Sequence, residues 1–120
     1  MNVNIELKDL TIKKAHDSFF FFFFSVLDLA NAYLNVIENK NKNINAFLEV
    51  FDDIKEQAKV AQDMFENGTA TLLTGIPFAI KDNILIKGKV ASASSLMLQN
   101  YVSSYDSFVI EQLKKEGAIF

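Results

Sequence analysis

The chain contains no cysteine, which excludes a disulfide scaffold, a thiolate metal site and a cysteine nucleophile, and makes a reducing cytoplasm its natural compartment. Its one histidine, His16, leaves too few soft ligands for a zinc site. Positive charge is not concentrated anywhere. The net charge is -3 and the lysines are scattered, whereas nucleic-acid binding needs clustered cations that neutralise several phosphates together. No apolar run approaches the roughly 20 residues that a membrane-spanning helix requires. What is present, 120 residues with 50% apolar and 22% charged side chains, is the composition of a globular protein with room for one modest core.

Helical signals dominate the first half. Behind Thr11 as an N-cap, Ile12, Ala15 and Phe19 share one face, which predicts a short helix over 10–19. Ser25 followed by Asp28 has the capping-box form, and Val26, Ala30, Tyr33 and Ile37 then recur at helical spacing, with Asn31, Asn35 and Glu38 on the opposite face. The polar run Asn39 to Asn43 reads as a loop. Asp52 and Asp53 offer caps for a helix with Ile54, Ala58, Ala61 and Phe65 inward, stopped by Asn67 and Gly68.

Strand signals follow. Ile44 to Phe51 alternates as a half-buried strand would, and Ile76 to Ile80, after the turn residues Thr74, Gly75 and Pro77, is an apolar run of the kind found in central strands. Ser92 to Ser95 is a small-residue loop leading to a brief helix at Leu96 to Gln99. Asp106 is placed to cap a helix through Lys115, with Lys114 and Lys115 suiting its C-terminal dipole and Gly117 ending it. Ala118 to Phe120 opens a further apolar strand that is cut short, which points to a truncated chain. This order predicts an α/β fold: N-terminal helices over about 1–43, then the first strands and helices of a mixed sheet over about 44–120.

Six of the 12 phenylalanines form one uninterrupted run, Phe19 to Phe24. No helix or strand period accommodates it, because every face would be aromatic. It could be the apolar stretch of a secretory signal, with Lys13 and Lys14 before it and Ala30-Asn31-Ala32 as the cleavage site, but Asp17 and Asp28 interrupt that pattern. The plainer reading is an insertion at a helix-to-helix turn that promotes aggregation. Asn67-Gly68-Thr69 has the form of a glycosylation acceptor, which a cytoplasmic protein would not use.

Chemistry concentrates in Gly75-Ile76-Pro77-Phe78-Ala79-Ile80-Lys81-Asp82-Asn83-Ile84, where a lysine emerges from the carboxyl end of an apolar run, a position that faces a cleft in open sheets. On the residues alone, Lys81 and Asp82 read more readily as a solvated pair at the strand's end. The segment, with Lys87-Gly88 after it, nevertheless resembles the lysine motif of the amidase-signature family. Leu29 to Tyr33, Ile44-Asn45-Ala46-Phe47, and the stretch from Tyr105-Asp106 to Lys115-Glu116-Gly117-Ala118-Ile119 resemble the A subunits of the tRNA-dependent amidotransferases within that family.

That resemblance implies a Ser-Ser-Lys triad with Lys81 as the catalytic base. An ammonium cannot accept a proton, so the lysine would work as a neutral amine, the form that burial favours; Phe78 to Ile80 is expected to supply the burial. The two serines lie in the family within a glycine- and serine-rich segment that this sequence does not contain; Ser92, Ser94 and Ser95 have no such context, and the chain by itself is expected to be inactive. Ala91 and Ser92 stand where relatives commonly carry two threonines. The resemblance further implies glutamine hydrolysis, with ammonia passed to a complex of subunits B and C. Those partners would hold the misacylated Glu-tRNA(Gln) or Asp-tRNA(Asn), use ATP and Mg, and so serve protein biosynthesis in the cytoplasm; no cofactor is expected in this chain. Two alternatives stand beside this one: another amide hydrolase of the family, or a noncatalytic helical interaction module docking through the 26–37 helix.

Overall fold

A computed structural model of the protein describes residues 4–120. Four α-helices, α1 (Ile12–Phe20), α2 (Val26–Ile44), α3 (Ile54–Glu66) and α4 (Phe108–Lys115), are joined by long irregular segments and one 3-10 turn at Leu96–Leu98.

The caps expected from sequence start the first two helices. Thr11 Oγ1 accepts from the Lys14 amide at 3.2 Å. Ser25 Oγ accepts from the Asp28 amide at 3.1 Å while the Asp28 carboxylate accepts from the Ser25 amide at 2.9 Å, which satisfies two orphan donors reciprocally. The core forms where α1, α2 and α3 meet: Ala15, Phe19, Val26, Leu29, Ala30, Ala58 and Ala61 are buried together with Ile76 and Ile119 from the later segments. Burying a Phe or Leu side chain is worth about 1.5–3 kcal/mol. Ile12, expected on the same face as Ala15 and Phe19, lies instead at 44% exposure.

Several boundaries differ from the sequence expectation. The run Asn39 to Asn43 is not a loop but the last turns of α2, which continues to Ile44. Nothing in it breaks a helix, and Asn39 Nδ2 returns a hydrogen bond to the Asn35 carbonyl at 2.8 Å. The helix ends where Asn45 enters the left-handed region at φ 49°, a conformation that asparagine tolerates. The next residues, expected as a strand, are irregular and largely exposed. Asn41 clamps them from both sides, donating to the Phe47 carbonyl at 2.9 Å and accepting from its amide at 2.8 Å. Asp53 occupies the N-cap of α3 without a side-chain cap bond, and Ser107, not Asp106, occupies that of α4, likewise without one.

No strand of an α/β sheet forms among the described residues. Two isolated bridges stand in its place, Pro77 with Ile119 in parallel and Val90 with Val102 antiparallel. Each segment has one neighbour over one or two residues, and pairs that small do not propagate a ladder without further strands beside them. The parallel bridge is nonetheless firm: the Gly75, Phe78 and Ile119 amides donate to the Gly117, Ile119 and Ile76 carbonyls at 2.8, 2.8 and 3.1 Å. Gly75 sits at φ 76°, and a Cβ there would lie 2.6 Å from Val26 Cγ2, so only glycine lets this segment lie against α2.

The phenylalanine run divides at the turn between α1 and α2. Phe19 is buried, and its ring meets those of Phe24 and Phe65 edge-on at 5.5 Å in each case. Phe20 to Phe23 are exposed. Among the described residues no helix is long and apolar enough to cross a membrane.

Candidate functional site

Lys81 follows the bridge directly. Residues 76–78 are fixed against Ile119, the chain then leaves the core, and the Lys81 carbonyl accepts from the Ile84 amide at 2.9 Å, so that the lysine stands at the head of a turn. It lines an open cleft of about 680 Å³ together with Phe47, Glu49, Asp82, Asn83 and Ser94. The burial expected from Phe78 to Ile80 is absent, for both Ala79 and Lys81 are exposed. A single bridged segment covers one side only, and no second layer of these residues lies over the other.

Asp82, beside Lys81 on the same cleft, gathers the loop at residues 92–94. Its carboxylate accepts from the Ser92 hydroxyl, from the Ser92 amide at 3.2 Å and from the Ser94 amide at 3.3 Å, and its carbonyl accepts from the Ala93 amide at 3.0 Å. The hydroxyl of Ser92 holds the Asp82 carboxyl below the ordinary aspartate range; partial burial opposes this, and the two amides reinforce it. The loop so held has Ala93 and Ser94 in succession at φ 49° and 56°, a left-handed pair of non-glycine residues that local bonding must stabilise. Ser92 therefore has its one hydroxyl proton committed to Asp82. The sequence motif pointed to Lys81 but not to this clamp, whose partners are ten and more residues apart and carry no local signal.

A second anchor lies beside the cleft. Lys89 Nζ is 3.0 Å from Asp53 Oδ1 and 3.7 Å from Asp52 Oδ1, and stands 4.5 Å over the Phe51 ring. Burial pushes the Asp53 carboxyl up, yet hydrogen bonds from Lys89 and Gln57 outweigh it and leave the group below its ordinary value. Asp106, expected as a helix cap, instead accepts from the Lys87 amide at 2.7 Å and from Lys114 Nζ at 2.7 Å, pinning the end of the same loop to α4. Among the described residues, no group of three or more His, Cys, Asp or Glu side chains could hold a metal ion.

Known proteins bear on this arrangement. A family model described as Amidase matches residues 28–120. The chain is 35% identical over 116 residues to the glutamyl-tRNA(Gln) amidotransferase A subunit of Ruminiclostridium cellulolyticum, covering 96% of this chain and 24% of that protein. To the protein of the same name from Ruthia magnifica it is 43% identical over 97 residues, which cover 80% of this chain and 20% of the relative. The chain thus spans about a quarter of the length of the curated relatives it matches. Among solved structures, an amidase family protein from Bacillus anthracis superposes with a TM-score of 0.90 at 26% identity, over 98% of this chain and 25% of that one. The native peptide amidase of Stenotrophomonas maltophilia does so with 0.88 at 24% identity, over 93% and 24%.

Proposed function

The chain belongs to the amidase family, and on that basis we propose that it is the amino-terminal part of a glutamine-hydrolysing amidase subunit with Lys81 as its base. The reading is that of the A subunit of a glutamyl-tRNA(Gln) or aspartyl-tRNA(Asn) amidotransferase. One observation carries it: relatives of that one name are 35–43% identical to the chain over the 97–116 residues aligned, most of its length, whereas the peptide amidase of the same fold is 24% identical.

In this reading residues 76–80 and 118–120 become strands of a mixed sheet once further strands lie beside them, and the same layers cover Lys81. The neutral amine of Lys81 takes a proton from a bridging serine, which takes one from the nucleophilic serine. The freed oxygen attacks the glutamine amide carbonyl and forms a C–O bond. The C–N bond then breaks, the proton returns by the same relay to the leaving nitrogen, and ammonia departs. Water hydrolyses the acyl-enzyme to glutamate and restores the serine. Both serines belong to the part of the relatives' length that this chain does not span.

Ammonia would pass to partner subunits B and C, which hold tRNA and use ATP and Mg. The described residues offer neither an acidic cluster for Mg nor a glycine-rich loop for phosphates. A cytoplasmic location accords with the absence of cysteine. The open cleft at Lys81 and the peptide amidase likeness favour, as a second reading, a family member acting on another amide.

The test is ammonia release from glutamine by the protein extended through its natural downstream coding sequence, with the other subunits present. Lys81→Ala is expected to abolish turnover while the protein stays folded. Unchanged turnover would remove Lys81 from the mechanism and return it to the solvated end of its segment.

A further inference from the structure

The function proposed above makes no use of the turn between α1 and α2, where Phe20, Phe21, Phe22 and Phe23 are 60%, 64%, 76% and 72% exposed. Those rings are not on a loose loop. Phe19 and Phe24 pack against the core on either side of them. The Phe21 amide donates to the Asp17 carbonyl and the Phe23 amide to the Ser18 carbonyl, both at 2.9 Å. The Ser25–Asp28 capping box starts the next helix at once. Phe22 is held in the left-handed region at φ 57°, where a bulky residue stays only if its surroundings over-determine it.

We propose that this aromatic tip is a self-association surface whose occupant is the same tip of a second copy of the chain. A phenylalanine side chain presents about 200 Å², so four rings at these exposures leave roughly 550 Å² of apolar surface, with Phe21 in ring contact with Phe20 and Phe23 at 5.4 and 6.3 Å, at the upper end of what a monomer leaves uncovered. Two tips meeting about a two-fold axis bury at most roughly 1,100 Å² in total, just above the roughly 1,000 Å² that a specific contact needs. The backbone of the tip is already fixed by its turn bonds, and a phenylalanine has few rotatable bonds to restrict on docking; aromatic anchors are the side chains that dominate interface energies.

Charge permits the contact. Asp17, at the base of the tip, is paired with Lys13 at 2.9 Å, and Asp28 is taken up by the Ser25 amide and hydroxyl at 2.9 and 2.7 Å. No bare carboxylate therefore opposes its symmetry mate. Net charge disfavours a bilayer as occupant: a chain of net charge -3 gains nothing from an anionic surface.

Sedimentation velocity of the 120-residue chain, across about a hundredfold range of micromolar concentrations, tests the proposal. The parent is expected to move from monomer to dimer, and the F20S/F21S/F22S/F23S variant to remain monomeric at about tenfold higher concentration, with its helical circular dichroism unchanged. Should that variant lose helix, Phe21→Asp, which sets one charge within an otherwise intact tip, decides in its place. L96S/M97S removes a different exposed patch, at 84% and 95% exposure, and should dimerise as the parent does. Association that survives the tip variants, a parent that stays monomeric throughout, loss of the dimer in L96S/M97S, or capture of a monomeric parent by phosphatidylcholine vesicles would each overturn it.

Discussion

Residues 12–66 and residues 69–107 hold their shape by different means. In the first region helices close their own backbone hydrogen bonds, and Phe19, Val26 and Leu29 pack at 1% exposure or less. In the second, polar side chains do what regular structure does elsewhere. Thr74 accepts from the Thr71 amide and donates to the Glu116 carbonyl, both at 2.8 Å; Asp82 gathers residues 92–94; Ser103 Oγ donates to the Tyr105 carbonyl at 2.7 Å. Backbone pairing in this region is limited to two isolated bridges, so side-chain clamps hold the segments on either side of Lys81.

That contrast fails most severely if the helical region is opened. Phe19→Ala empties the site where α1 meets Phe24 and Phe65, and should cost about 3–5 kcal/mol in urea unfolding. Phe21→Ala, two residues on but exposed, should stay within about 0.5 kcal/mol. Equal losses would mean that the run packs as one unit.

Next in size is a substitution at the seam between the regions. Gly75→Ala places a methyl group 2.6 Å from Val26 Cγ2 and 3.3 Å from Phe19 Cε2, at φ 76°. Overpacking and the left-handed penalty together should cost about 3 kcal/mol, seen as a lowered melting temperature with the helices retained below it. An unchanged melting temperature would show that the 75–78 segment is not held against α2.

A milder change belongs to the clamp in the second region. Asp82 has its carboxyl below the ordinary value of 3.8, through the Ser92 hydroxyl first. A depressed folded value means that its stabilisation is fully present above that ordinary value and is lost as pH falls through the lower, folded one. The Ser92 and Ser94 amide resonances should therefore titrate with a midpoint below 3.8, and Asp82→Ala should shift both at neutral pH without moving those of α2. A midpoint at or above the free value would dissolve the clamp. Asp28 is held low by the Ser25 amide first and then its hydroxyl, so the α2 cap should weaken over the same acid range, a change visible in the Ser25 amide.

Legibility followed the range of the interaction. Thr11, the Ser25–Asp28 box, the Asn67-Gly68 stop and Gly117 mark their helices because a cap and its partner lie within four residues. The run Asn39 to Asn43 misled because polarity alone does not end a helix; the left-handed Asn45 does. Ile44 to Phe51 alternates without a neighbour to pair with. The lysine motif was legible as a resemblance, and the residues alone read Lys81 as solvated, as it lies; the burial expected from the resemblance is absent, since burial depends on what lies across from a residue.

Neighbours along the chain were enough to show that four helices form, though not where α2 ends, and which segment bears Lys81, because periodicity, capping and a contiguous motif are local properties. It took folding to decide that Pro77 meets Ile119, that Asp82 holds Ser92 and Ser94, and that Phe19 and Phe24 turn inward while four rings between them face outward. Each of these depends on partners distant in sequence, and no local pattern encodes which distant group will arrive.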